Sequence, residues 1–176
     1  MNRISLLLDR PWLRTGRAAA LLAVLASAGA LFMALLSQFA FGLAPCVLCL
    51  YQRYGHVWAL VFGLLAFLAP ARHRPLLTFL AILGLLASAA IAGFHLGVEW
   101  RWWTGSAECG ATLDLSASIE SVRAALLAAP TVRCDEVVWS LFGLSMAGYN
   151  LLYSLAAALL TALLLRWNSN AQHRNR

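Results

Sequence analysis

Two cysteines separated by two residues, Cys46 and Cys49, are the residues of this chain best suited to chemistry. Two thiols at this spacing can close a disulfide or share a metal ion. A long apolar segment begins at the pair, so we expect the sulfur atoms at the start of a helix, where partial positive charge favours thiolate over thiol. Arg53 follows Cys49 by four residues, on the same helical face. The spacing therefore predicts a reactive thiol pair at a membrane surface, with a guanidinium one turn deeper.

The composition of the chain is that of a membrane protein. Of its 176 residues, 62% are hydrophobic and 11% are charged, whereas soluble domains average roughly 45–50% and 25%. Four segments are long and apolar enough to span a bilayer as helices, namely residues 18–41, 50–69, 76–98 and 138–165. We therefore predict an all-α fold, an integral membrane four-helix bundle that forms a single membrane domain over residues 1–176.

Arginine marks one side of this predicted bundle. All 13 cationic residues are Arg, and nine of them lie near the N-terminus, in the turn at residues 72–74 or near the C-terminus. Because an excess of Arg marks the cytoplasmic side, both termini are predicted to be cytoplasmic. The other side then receives two loops, residues 42–49 and 99–137. The net charge of +6 is thus a topology signal, and we expect no nucleic-acid partner.

All four cysteines fall on the second side, which in a bacterial inner membrane is the oxidising periplasm. Proximity in sequence makes two pairs, Cys46 with Cys49 and Cys109 with Cys134. A pair at a helix start and a pair on a loop suit a relay of thiol–disulfide exchange. The alternatives are two inert disulfides or a zinc site of four cysteines. Redox activity is favoured and no metal is expected, because only one C-x-x-C is present and an inert disulfide across two residues is unusual.

Three polar side chains near the span ends could contact a ligand. Arg53 could stabilise the Cys49 thiolate or donate to a carbonyl of a bound ligand, since an intramembrane Arg suggests function. Its alternative is snorkelling to the lipid head groups. His56 and His95 could each hydrogen-bond a quinone, or could simply be solvated at the interface.

Two further patterns concern packing and the long loop. Small residues recur four apart in the spans and permit close helix approach: Gly55, Ala59 and Gly63; Gly84, Ser88 and Ala92; Gly143 and Ala147. In the loop, apolar residues recur at helical spacing and Pro130 marks an end: Leu115, Ile119, Val122 and Leu126. We expect a short amphipathic helix there, in the second periplasmic loop, lying on the membrane surface.

The stretch PCVLCLYQR at residues 45–53 resembles the signature of the DsbB family of disulfide bond formation proteins. The stretches FHLGVEW at 94–100 and WSLFGLSMAGYN at 139–150 are similar to that family as well. So are the four-span plan and the loop cysteines, and the resemblance covers residues 18–165. In the related vitamin K epoxide reductase-like enzymes the loop pair precedes the C-x-x-C, whereas here it follows.

The resemblance implies a quinone-dependent protein-disulfide oxidoreductase. Such a protein reoxidises a periplasmic DsbA-like oxidase of the thioredoxin fold and passes two electrons to quinone in the lipid bilayer, with ubiquinone favoured over menaquinone. This is the system that keeps the bacterial periplasm oxidising. The alternatives are a DsbB paralogue dedicated to one substrate oxidase and a non-catalytic membrane scaffold with structural disulfides. Gln52 stands where some members carry an acidic residue.

The resemblance also implies a role for each site residue. Cys109 would form the mixed disulfide with the DsbA-like partner. Cys134 would then exchange with Cys46 and release Cys49 as the thiolate that contacts the quinone ring. Arg53 would be the cation on the quinone side. The quinone-binding candidates are therefore Arg53, Cys49 and His95.

Overall fold

Four long helices dominate the computed structural model, which describes residues 16–106, 109, 118–120, 123 and 132–174, with side chains as far as residue 168. They are α1 (Arg17–Ala40), α2 (Val47–Leu68), α3 (Arg74–Glu99) and α4 (Met146–Arg174). Two short strands, β1 (Ser140–Leu141) and β2 (Leu144–Ser145), precede α4. The chain is therefore mostly helical.

Three of these helices are long and apolar enough to cross a membrane: α1, α3 and the Met146–Asn168 part of α4. Helix α2 is not among these three, because its first turns carry the polar residues Gln52, Arg53 and His56. Large apolar side chains point outwards from every helix, among them Phe39, Leu68, Leu76 and Leu159. A surface of this kind suits lipid rather than water, as expected of a membrane protein.

Helices α2 and α3 pack closely through small residues. A Cβ atom placed on Gly84 would lie 2.8 Å from both the backbone oxygen of Gly55 and the backbone nitrogen of Ala59. The two backbones are thus in direct contact, and a larger side chain would separate them. The predicted packing seam is confirmed for this pair of helices, and it fixes α3 against the start of α2.

The fourth helix begins at Met146, whereas the sequence placed the start of the span near residue 138. The intervening residues form the antiparallel β1–β2 hairpin. Its turn residues, Phe142 and Gly143, have φ values of 51° and 77°, the left-handed conformation that a type I′ turn requires at both positions. The prediction that Gly143 belongs to a helix seam is therefore wrong.

The predicted loop helix falls mainly on residues outside those described. Within it only Ile119, Glu120 and Arg123 are described as helical, and the rest of the apolar pattern is not. Three of the four N-terminal arginines, Arg3, Arg10 and Arg14, also lie outside the described residues. The amphipathic helix stays a prediction.

Candidate functional site

The thiol pair lies at the N-terminus of α2. Cys46 is the N-cap residue, and its sulfur accepts a hydrogen bond from the backbone N–H of Cys49 at 3.4 Å. The two sulfur atoms are 3.2 Å apart, and both cysteines are free. Cys46 is buried and Cys49 is half-buried. The partial positive charge of the helix terminus is therefore directed at Cys46, and not at both cysteines as the sequence predicts.

Of the two thiols, that of Cys46 is the one whose surroundings stabilise the thiolate. Its pKa is lowered from the ordinary value chiefly by a hydrogen bond from the Cys49 thiol, with burial opposing and the nearby His95 assisting. The pair then holds one proton, which the Cys49 thiol donates in a hydrogen bond to the Cys46 thiolate. Such a pair can act as nucleophile or leaving group in exchange with another disulfide.

A disulfide joins Cys109 to Cys134, with Cα atoms 4.9 Å apart. The backbone N–H of Cys134 also donates to the carbonyl of Cys109 at 3.1 Å. Both cysteines are buried, and they share one apolar cluster with Cys46, Leu48 and Val98, against which Cys49 packs. The structure therefore brings the two cysteine pairs together, although the pairs lie far apart in the sequence.

His95 lies between the two cysteine pairs. Its Nε2 atom is 3.6 Å from the Cys46 sulfur, 3.2 Å from the Cys134 carbonyl oxygen and 3.8 Å from Oε1 of Glu99. Its Nδ1 atom is 3.0 Å from the side-chain nitrogen of Gln52. The contacts of its ring nitrogens are thus made with the cysteines and their neighbours. Quinone binding by His95 stays a prediction.

Behind His95 runs a chain of buried and half-buried polar side chains whose contacts with one another the sequence did not predict. Asn150 donates to Oε1 of Gln52 at 2.8 Å and to the hydroxyl of Ser88 at 3.1 Å. Its Oδ1 lies 2.9 Å from His56 Nε2 and 3.1 Å from the hydroxyl of Ser154. Isolated polar residues in apolar spans were the only available signal, since each must find a partner there.

The Arg53 guanidinium connects α2 to α1. It donates to Oε1 of Gln38 at 2.6 Å and to the carbonyl of Ala34 at 3.2 Å. The side chain is half-buried and lines the same cavity as Cys49. Both of these hydrogen bonds hold the planar group beside the cavity, next to the thiol pair.

A cavity of about 520 Å³ opens beside Cys49 and Arg53. Most of its wall is apolar, and the large side chains in it include Leu31, Met33, Trp139, Met146 and Tyr149. Its volume falls within the range of roughly 300–1,000 Å³ that is usual for small-molecule sites. An apolar wall with a guanidinium on one side suits a flat apolar ligand that carries acceptor oxygens.

The same atoms could also bind a soft metal ion. The sulfur atoms of Cys46 and Cys49 and a ring nitrogen of His95 lie within 4.8 Å of one another. Thiolate and imidazole ligands suit zinc and similar ions. Occupation by metal would use the sulfur atoms that thiol exchange needs.

The chain is similar to proteins of one family over most of its length. A family model described as "Disulfide bond formation protein DsbB" matches residues 16–164. The disulfide bond formation protein B of Methylobacillus flagellatus is 31% identical over 157 residues, which cover 85% of this chain and 92% of the relative. That of Hahella chejuensis is 34% identical over 148 residues, which cover 80% and 87%. No solved structure gives a significant match.

Proposed function

The chain belongs to the DsbB family of disulfide bond formation proteins, and from that premise we propose that it is a quinone-dependent thiol oxidase of the bacterial inner membrane. It takes two electrons from a reduced DsbA-like dithiol of the thioredoxin fold and passes them to membrane quinone. One observation carries the proposal: the Cys109–Cys134 disulfide and Cys46 pack together in one buried cluster. Two cysteine pairs held in one cluster can exchange electrons without a diffusing carrier.

The proposed setting is a four-helix bundle in the membrane, with both termini in the cytoplasm and the cysteines in the periplasm. Helix α2 is the fourth span in this arrangement. Its 22 residues extend about 33 Å at 1.5 Å per residue, which matches a hydrocarbon core of roughly 30 Å. Its polar side chains Gln52, Arg53 and His56 all bond to neighbouring helices, so their cost in lipid is reduced.

The proposed cycle begins with both cysteine pairs oxidised. A thiolate of the partner attacks Cys109, the Cys109–Cys134 bond breaks, and Cys134 leaves as a thiolate. Cys134 then attacks Cys46, so that a Cys46–Cys134 bond forms and Cys49 leaves as a thiolate. The order is the one that the family resemblance implies, and Cys134 and Cys46 belong to the same buried cluster.

Two resolving steps complete the transfer. The second cysteine of the partner attacks the partner sulfur of the mixed disulfide, so the oxidised partner departs and Cys109 is released as a thiolate. Cys109 then attacks Cys134, which restores the Cys109–Cys134 disulfide and releases Cys46 as a thiolate. Two electrons from the partner now reside on Cys46 and Cys49 as a dithiol, which is the arrangement in the structure.

Quinone, when bound, supplies the sink for two electrons and two protons as the Cys46–Cys49 disulfide re-forms. The cavity beside Cys49 fits this group, because its apolar wall matches a quinone ring and Arg53 supplies N–H donors for a carbonyl oxygen. Both Cys46 and Cys49 line that cavity, and Cys49 is the more exposed of the two, while Cys46 is buried in one cluster with the loop disulfide. The C-x-x-C pair thus lies between the proposed quinone site and the loop disulfide.

The test is quinone reduction by the purified protein supplied with a reduced DsbA-like partner. We expect reduction of ubiquinone, and faster turnover with it than with menaquinone. Cys49→Ser should abolish turnover yet still allow one partner molecule to be trapped, whereas Cys109→Ser should abolish trapping. A protein that reduces no quinone with any reduced partner would instead be a scaffold with structural disulfides.

A further inference from the structure

The polar side chains behind the cysteines form a hydrogen-bonded chain, and His56 at its far end determines which group donates and which accepts in each hydrogen bond. The Nδ1 atom of His56 is buried without a hydrogen-bond partner among the described residues. Because buried N–H groups are rarely left unpaired, Nδ1 is the bare nitrogen and Nε2 carries the proton. His56 Nε2 then donates to Oδ1 of Asn150 at 2.9 Å, and the Ser154 hydroxyl donates to the same oxygen.

The orientation of the Asn150 amide fixes that of the Gln52 amide, which in turn fixes the position of the proton on His95. Since the amide oxygen of Asn150 faces His56, its NH₂ group faces Oε1 of Gln52 at 2.8 Å. Gln52 must therefore present its own NH₂ group to His95 Nδ1, 3.0 Å away. A nitrogen that faces a donor has to be an acceptor, so His95 Nδ1 is bare and the proton lies on Nε2.

The contacts of His95 Nε2, at the cysteine end of these hydrogen bonds, independently indicate the same proton position. The Cys134 carbonyl oxygen, 3.2 Å from His95 Nε2, can only accept a hydrogen bond. The Cys46 sulfur at 3.6 Å and the Glu99 carboxylate at 3.8 Å are acceptors as well. A bare Nε2 would set a lone pair against three acceptors. Both ends therefore require the proton on Nε2.

We propose that Asn150 and Gln52 are positioning residues that hold His95 with its proton on Nε2, aimed at the Cys46 sulfur. This inference rests on the proposed function, whose resolving step it deepens. Asn150 touches neither a cysteine nor His95 through any of its hydrogen bonds to Gln52, Ser88, His56 and Ser154. Its effect on the reaction is therefore transmitted through Gln52.

The step concerned is the attack of Cys109 on Cys134. The Cys46–Cys134 bond breaks, the Cys109–Cys134 bond forms, and Cys46 departs with the electron pair as a thiolate. His95 Nε2–H, 3.6 Å from this sulfur, stabilises the leaving thiolate by a charge-assisted hydrogen bond. If the proton were on Nδ1 instead, the leaving sulfur would meet a lone pair.

The first experiment detects the proton directly. ¹⁵N-imidazole NMR of the full-length, reduced protein in detergent, with His95 assigned by the His95→Gln variant, should show Nε2 protonated and Nδ1 bare. In Gln52→Glu the new carboxylate can accept from Nδ1, so we expect that nitrogen to become protonated. A parent spectrum with Nδ1 protonated overturns the proposal. Neither partner nor quinone is present, so failure of the proposed function would leave this result standing.

The second experiment asks whether Asn150 acts through His95. Asn150→Leu should slow the appearance of the Cys46–Cys49 dithiol in a single turnover by about tenfold, the scale of one lost charged hydrogen bond. Trapping of the partner at Cys109 should not change. Adding Asn150→Leu to His95→Gln should then have no further effect, because residues acting in one chain are not additive.

The control is Thr161→Val, a change on α4 at a buried hydroxyl that has no partner among the described residues. It should leave the transfer rate unchanged. Additive effects of the Asn150 and His95 changes would show that Asn150 acts on stability alone, and would overturn the proposal. If Asn150→Leu does not fold, Gln52→Glu with the NMR readout gives the same decision.

Discussion

Replacing Arg53 with Lys should raise the apparent quinone KM. The guanidinium uses one nitrogen for Gln38 at 2.6 Å and the other for Ala34 at 3.2 Å, and its planar shape leaves further N–H groups for the cavity. A lysine ammonium is a single point of charge and cannot reproduce this fork. A lost charged hydrogen bond costs about 1.5–3 kcal/mol. At 1.36 kcal/mol per decade, the KM should rise about tenfold to a hundredfold.

The assay is quinone-dependent turnover across a quinone titration, with the reduced partner saturating. Arg72→Lys is the matched control, because Arg72 lies on an exposed turn where it donates to the neighbouring His73. Arg53 could bind quinone or could only tie α2 to α1, and Gln38→Leu separates these roles because it removes a contact with α1 and keeps the guanidinium. If Arg53 only ties α2 to α1, Arg53→Lys and Gln38→Leu should both lower the unfolding temperature and leave the KM unchanged. A titration curve of Arg53→Lys that superimposes on the parent curve would refute the quinone-side role.

Three further predictions test the packing, the thiol pair and the topology. A Cβ on Gly84 would lie 2.8 Å from the backbone of α2, so Gly84→Ala should lower the free energy of unfolding by about 1–3 kcal/mol. Gly93→Ala, whose Cβ would have its nearest neighbour at 3.7 Å, should be neutral in the same thermal unfolding assay. Because the pKa of Cys46 is lowered by its hydrogen bond from the neighbouring thiol, the rate of its alkylation in the reduced protein, followed by mass spectrometry, should change little as the pH falls below about 8, where the rate for an ordinary thiol falls. A reporter active only in the periplasm should be silent after Arg176 and active near Ala117, and the reverse pattern would contradict the topology.

The family and the membrane character were predictable from the sequence because both depend on local patterns. The C-x-x-C with its flanking residues supports the family resemblance, and the match over residues 16–164 confirms it. The packing of Gly55 against α3 was predictable as well, since small residues four apart indicate a close seam whatever the partner.

The contacts between distant polar residues were not predictable. Asn150 and Ser154 are single polar residues in an apolar segment, and nothing local indicates that their partners are Gln52 and His56. The late start of α4 was missed because Phe142 is apolar and reads as part of a span, although its positive φ belongs to a turn. Hydropathy records which residues avoid water and does not record backbone conformation.

Helix α2 combines the roles of span and active site, and this explains why it is not among the three helices that are apolar enough to be identified as spans. Gln52, Arg53 and His56 follow Cys49 within two turns, and an unpaired polar group in lipid costs several kcal/mol. Each finds a partner on a neighbouring helix: Gln52 on α3 and α4, Arg53 on α1, and His56 on α4. The groups that prepare the sulfur atoms are therefore also the groups that hold α2 in place. A substitution that deletes one of them therefore changes stability and electron transfer together. The two effects are separated only by a near-isosteric substitution whose electron transfer is measured alongside partner trapping at Cys109.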